Sequence, residues 1–253
     1  MSSVESISES SSLAAGAAAP LGLSAEQLAF WRDNGYLVLE QFATPAQTAA
    51  MVARARELVE GFDPVKDGVS VFTTNEQTRT SDEYFLSSGD KIRFFFEENA
   101  WTPEGTLRQS KEESINKIGH ALHEQDAVFN AFVDTPRFKA TIQSLGLADP
   151  LLLQGMLIFK QRRIGGPVKP HQDSTFLFTD PPSCVGLWTA LQDATLENGC
   201  LWAVPGSHRL PVQQRFVRAP SGGGTVFCTE AGGSAAPLPT DGGVAIPMKA
   251  GAW

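Results

Sequence analysis

From Leu151 onward the chain is cut into short apolar runs by glycine, proline and polar turns, and this pattern most constrains its fold. The runs are Leu151–Phe159, Val185–Leu191, Cys200–Val204 and Val244–Ile246, separated by Gly165-Gly166-Pro167, the polar stretch Asp193–Gly199 and the Pro205-Gly206-Ser207-His208 turn. Short apolar runs between turn signals read as strands of an antiparallel sandwich or barrel. The first half carries helix signals instead. Ser24 with Gln27 makes a capping box for a helix over Ala25–Arg32, closed by Asn34-Gly35. Thr44, with Pro45 at the first helical position, opens a second helix over Ala46–Glu60 that Gly61 stops. Tyr36–Leu39 and the aromatic Ile92–Phe96 read as buried strands, and residues 62–90 as loop with strand pieces near Val69–Phe72. Ser114–Phe132 reads as helical, and a further helix runs from Thr135-Pro136 to Gly146. Helices first and short strands later predict a mainly β fold, a jelly-roll barrel with helices packed outside it. The Gly-rich stretch 218–243 reads as a flexible insertion.

At 253 residues with 42% hydrophobic side chains, the chain can bury one full core. A net charge of −8 without a basic block argues against a nucleic-acid partner held through phosphates. No apolar run approaches a membrane span. Cys184, Cys200 and Cys228 form no C-x-x-C pair, and their odd number suits a reducing compartment; they read as buried small hydrophobes. Residues 1–22 form a Ser/Ala-rich tail without the cationic start of a secretory signal, and Glu5 and Glu9 disfavour a mitochondrial leader. The tail is expected to be disordered and the protein cytoplasmic, with a Ser-rich plastid-type leader as the alternative.

Chemistry concentrates at Pro170-His171-Gln172-Asp173-Ser174-Thr175-Phe176. In an extended segment side chains alternate, so His171 and Asp173 are expected to point the same way. An imidazole and a carboxylate on one face are two of the three ligands of the facial site used by non-haem Fe(II) oxygenases. A lone His-x-Asp is common by chance, so its surroundings carry the weight. His120 and His123, three apart in the expected helix, would share a face. No carboxylate stands at matching spacing, which favours surface or supporting histidines over a metal pair.

Five stretches together resemble the phytanoyl-CoA dioxygenase family: NKIGHALH (116–123), GMLIFKQ (155–161), PHQDSTFL (170–177), GLWTALQDATLENGCLW (186–202) and VPGSH (204–208). The resemblance runs from about residue 24 to the end. It implies a double-stranded β-helix (jelly roll, cupin-like) with Fe(II) held by His171 and Asp173. It also implies 2-oxoglutarate as co-substrate in a pocket lined by Lys117, Met156 and Trp188, although Met and Trp in strands are ordinarily core and Lys117 could be a solvated lysine. The implied reaction uses O2 to hydroxylate a C–H of a small, acyl-CoA-like substrate, forming succinate and CO2. A non-catalytic jelly-roll binding protein is the alternative. The family's second histidine and its carboxylate-gripping arginine would follow the stretch resembling Val244–Trp253. The sequence stops there, which suggests a chain lacking the last strands. After Asp173 the one remaining histidine is His208, a candidate substitute ligand.

Overall fold

Two capped helices open the part of the chain that the computed structural model describes, which comprises residues 21–72, 82–147, 149–220, 222, 224–229 and 238–253. Helix α1 (Ala25–Asn34) has the expected capping box from Ser24 and Gln27, and Gly35 ends it in the left-handed conformation at φ 80°. Helix α2 (Pro45–Gly61) repeats the device with Thr44 and Gln47. Between them Tyr36–Leu39 is extended but belongs to no sheet; Leu39 exchanges two backbone hydrogen bonds with Trp253. Two short helices, α3 (Pro64–Asp67) and α4 (Glu83–Leu86), interrupt what the sequence presents as loop. Val71 bridges Phe96 close to the expected strand piece.

Strand β1 (Ile92–Phe96) is as expected, but its partner is not. Residues Ile115–His120 form β2, antiparallel to β1, where the sequence reads as helix. Helix α5 (Leu122–Gln125) and helix α6 (Ala127–Val133) begin only after it. Asn116 and Gly119 are weak helix formers, while Ile115 and Ile118 suit a pleated surface, so the aromatic ladder of β1 decides the outcome. Helix α7 (Pro136–Ser144), capped by Thr135, follows as expected. The run Leu151–Phe159 yields only β3 (Leu157–Ile158), and Leu151 and Leu153 are exposed. Its partner β2 turns into α5 beyond Ala121, which bridges Gly155, so the earlier leucines have no strand to pair with.

Strands β1, β2 and β3 form one sheet in that order. Its inner face packs Phe94 in a stack on Phe62, with ring centroids 4.2 Å apart, together with Ile115, Ile118, Leu122 and Ile164. A second apolar group joins Phe42, Met51, Phe132, Phe138 and Trp253, and Trp253 stacks on Phe42 at 4.1 Å. Asp126 ties the helices together. Its Oδ1 accepts from the Val128 and Phe129 amides at the start of α6, and its Oδ2 accepts from Arg54 of α2 at 2.7 Å.

The later strands are β4 (Leu201–Ala203), β5 (Gln214–Arg218), β6 (Thr225–Thr229) and β7 (Val244–Ile246), paired β4–β7 and β5–β6. The protein is therefore a mixed helix and strand fold, with three small antiparallel sheets among the described residues. Val185–Leu191 forms no strand of its own; Ala190 alone pairs with the Gly251–Ala252 turn. Strand β6 lies inside the stretch that reads as a flexible insertion, and Phe216 pairs with Phe227 across the hairpin. Residues 230–237 of that stretch lie outside the described residues, as do residues 1–20 of the tail. Of the three cysteines, all free, only Cys200 is buried; Cys184 is half-buried and Cys228 exposed. Among the described residues no helix is long and apolar enough to cross a membrane.

Candidate metal centre

The loop between β3 and His171 is anchored at two points before the site begins. Ile164 is buried in the sheet core, and the Gly166 amide donates to Glu97 Oε2 at 3.4 Å. Burial pushes the Glu97 carboxyl above its ordinary value, against the hydrogen bonds from Asn116 and Gly166. Gly165 has no side chain for a packing reason: a Cβ there would lie 2.8 Å from the Gln161 carbonyl oxygen.

His171 is extended, but Asp173 is not. Residues Asp173–Thr175 form a single 3-10 turn, which corrects the expected alternation of a continuous strand. The Asp173 carbonyl accepts from the Phe176 and Leu177 amides, so local hydrogen bonds close the turn. The two side chains nevertheless meet, with His171 Nε2 3.4 Å from Asp173 Oδ1. His171 Nδ1 lies 2.8 Å from the Lys169 carbonyl, so Nδ1 carries the proton and donates. That hydrogen bond sets the tautomer with Nε2 toward the carboxylate, the usual orientation of a metal-bound histidine. A nitrogen lone pair facing a carboxylate oxygen is stabilised by a cation, either a proton on Nε2 or a metal ion beside both.

Both side chains are about half exposed, which leaves room for further ligands. The wall beyond Asp173 is the segment from Cys184 to Gly186. A Cβ on Gly186 would sit 2.8 Å from Asp173 Oδ2, its one close neighbour among the described residues. The Cys184 thiol is pushed up by burial and then by the Asp173 charge.

The other expected pocket residues fall in two places. Lys117 on β2 and Met156 just before β3 share a sheet face, because Lys117 pairs with Ile158 and Met156 packs against Gly119. Lys117 is buried, and its ammonium lies 3.2 Å from the centre of the Phe72 ring. It is not a solvated helix lysine. Trp188 is half-buried against Ala190, Ile246, Met248 and Ala252. His120 and His123 share no helix face, since β2 ends between them. His120 is buried with Nδ1 2.8 Å from Ser88 Oγ, and burial, then the Lys117 charge, pushes its imidazole down to about 4. His123 is buried on α5 against Gly155.

His208 does not substitute as a ligand. Its Nε2 lies 3.0 Å from the Arg32 carbonyl, and its ring packs on Gly35. Gly206 donates to the Asn34 carbonyl and Arg209 to that of Arg32, so this turn satisfies the open carbonyls at the end of α1. Among the described residues no group of three or more His, Cys, Asp or Glu side chains is placed to hold one metal ion. The donor set fits two ligands of a facial site. Two residues at the Asp173 turn escaped the sequence reading: Gly186, one glycine among many, and Arg215, one of three arginines between His208 and Ala219.

Residues 31–252 match the family model described as phytanoyl-CoA dioxygenase. The chain is 48% identical over 200 residues to a phytanoyl-CoA dioxygenase of Arabidopsis thaliana, covering 79% of this chain and 70% of the relative. It is 50% identical over 196 residues to phytanoyl-CoA dioxygenase 1 of Oryza sativa subsp. japonica, covering 78% and 69%. With phytanoyl-CoA dioxygenase domain-containing protein 1 of Mus musculus it shares 49% over 212 residues, covering 81% and 73%. Among solved structures, EvdO2 from Micromonospora carbonacea var. aurantiaca superposes with a TM-score of 0.49 at 20% identity, covering 91% of this chain and 79% of that one.

Proposed function

This chain belongs to the phytanoyl-CoA dioxygenase family, and on that premise we propose that it is an Fe(II)- and 2-oxoglutarate-dependent dioxygenase acting on a small, acyl-CoA-like substrate. The observation that carries the reading is the 3.4 Å approach of His171 Nε2 to Asp173 Oδ1, with the opposite imidazole nitrogen already committed to a backbone carbonyl. In this reading His171 and Asp173 are two of the iron ligands. Lys117, Met156 and Trp188 line the 2-oxoglutarate pocket. The β4–β7 pair and the backbone links at Ala190 and Leu39 are then parts of a double-stranded β-helix.

Bound iron with 2-oxoglutarate would supply the oxidising chemistry, coupling O2 reduction and decarboxylation to C–H hydroxylation. The chain's own residues hold and orient. Lys169 fixes the His171 tautomer through its carbonyl, the 3-10 turn aims Asp173, and Gly186 leaves the outer carboxylate oxygen clear. The Lys117 ammonium, already out of water, offers a cationic partner for an oxo-acid carboxylate, whose charge would strengthen the contact beyond that with Phe72.

Succinate formation from 2-oxoglutarate with added Fe(II) under air tests the proposal, alongside anaerobic Fe(II) and 2-oxoglutarate binding. The expected result is turnover that His171→Ala and Asp173→Ala abolish. The two-donor site favours one other reading, a non-catalytic binding protein; it predicts 2-oxoglutarate binding without succinate. A folded protein that binds neither Fe(II) nor 2-oxoglutarate refutes both.

A further inference from the structure

We propose that Arg215, on β5, is a positioning residue that fixes the direction of the Asp173 carboxylate by holding the backbone immediately after it. The inference rests on the reading of His171 and Asp173 as a metal pair.

Among the described residues Arg215 is the one buried arginine, 8% exposed. A guanidinium stays charged and carries five donors, so its burial is costly unless the donors are used. One of them, Nη1, donates to the Ser174 carbonyl at 2.5 Å, and the guanidinium carbon lies 4.2 Å from the centre of the Phe178 ring. Arg215 therefore reaches across from the β5–β6 hairpin to both sides of the segment that follows Asp173.

The backbone of that segment shows what the contact does. Three successive carbonyls, those of Gln172, Asp173 and Ser174, run through the turn. The first accepts from Thr175 at 3.0 Å, and the second from Phe176 and Leu177 at 2.9 and 3.0 Å. Arg215 supplies a partner for the third. A single 3-10 turn has poor hydrogen-bond geometry and little stability alone. With the Ser174 peptide plane held from outside, the Asp173 backbone and the side chain it carries lose their freedom to swing. The residue before Asp173 is tied to the segment leading into β5: Gln172 Oε1 accepts from the Gln213 amide at 3.1 Å, and its Nε2 donates to the Pro211 carbonyl at 3.2 Å. Apolar contacts close the arrangement. Phe176, whose ring is 5.9 Å from that of His171, meets Phe216 of β5 at 5.6 Å and Phe227 of β6 at 6.3 Å. The hairpin is thus a support of the site, and Arg215 is its charged contact with the turn that bears Asp173.

The test compares the parent chain with Arg215→Gln, Arg215→Lys and the same-strand control Arg218→Gln, whose wild-type arginine contacts Leu86 instead. Anaerobic Co(II) titration gives the dissociation constant, and the visible spectrum at saturating Co(II) reports the ligand geometry. Amide exchange follows Phe176 and Leu177. Arg215→Gln should weaken Co(II) about 10- to 100-fold, the range for losing a group that orients a ligand, and should change the saturated spectrum. Arg215→Lys, which keeps a cationic donor, should recover most of the affinity and the parent spectrum, while Arg218→Gln should match the parent. A purely structural role would lower the melting temperature of Arg215→Gln yet leave the spectrum at saturation unchanged, and that result overturns the proposal. So does an Arg215→Lys variant as impaired as Arg215→Gln. If the parent and His171→Ala bind Co(II) alike, the metal reading fails. The positioning claim then stands or falls on faster exchange at Phe176 and Leu177 in Arg215→Gln but not in Arg215→Lys.

Discussion

Replacing Gly186 with alanine puts a methyl group 2.8 Å from Asp173 Oδ2. The backbone there is compatible with alanine, since Gly186 has no positive φ. Ordinary carbon–oxygen contact begins near 3.4 Å, so the carboxylate must retreat by about 0.6 Å. It can do so, because the Asp173 side chain is half exposed. Swinging it off its preferred rotamer costs roughly 0.5–1.5 kcal/mol, which in a domain of this size lowers the melting temperature by only about 1–6 °C. The effect on a bound metal is larger. Displaced by half an ångström from a partner 3.4 Å away, the oxygen can no longer share a cation with His171 Nε2 on the same terms. A misoriented ligand typically costs about 10- to 100-fold in metal affinity. Anaerobic Co(II) titration of Gly186→Ala and of the parent, with thermal unfolding of both, separates the two effects. Affinity within twofold of the parent refutes the argument. A collapse of stability large enough to explain the lost affinity refutes it equally.

Three further outcomes concern side chains away from His171 and Asp173. The His120 imidazole is pushed from 6.5 down to about 4, so it stays neutral in the fold while the unfolded chain takes up a proton below 6.5. Its contribution is complete above 6.5 and lost as the pH falls toward 4, a change on the order of 3 kcal/mol; urea unfolding between those limits should show it, and His120→Asn should flatten it. Asp126→Ala removes the α6 cap and the partner of Arg54 together, for an expected loss of about 2–3 kcal/mol in equilibrium unfolding, discounted because Arg54 is partly exposed. His208→Ala should lower stability by less than about 1 kcal/mol, since Arg209 still donates to the Arg32 carbonyl, and should leave Co(II) affinity unchanged, which separates this histidine from His171 and Asp173.

The sequence was most readable where local chemistry decides. The ends of α1, α2 and α7 follow from Ser24, Thr44 and Thr135, whose side chains bond amides three residues ahead. The strand at Ile92–Phe96, the strand at Val244–Ile246 and the turn over Asp193–Gly199 were legible for the same reason. The meeting of His171 and Asp173 was expected from the sequence, but for a partly wrong reason: a 3-10 turn, not strand alternation, brings the carboxylate to the imidazole.

What only the tertiary structure decided is whatever depends on a distant partner. Ile115–His120 is a strand because the aromatic edge of β1 lies beside it, and Leu151–Leu153 is not one because no strand among the described residues pairs with it. The same holds for His208, turned to the end of α1 across 176 residues of chain, and for Arg215, brought to the Ser174 carbonyl across 41 residues. Capping boxes and turns act over three or four residues, so the sequence by itself determined them. Pairing, burial and the aim of a side chain depend on groups far along the chain, and composition and spacing do not encode which of these will meet.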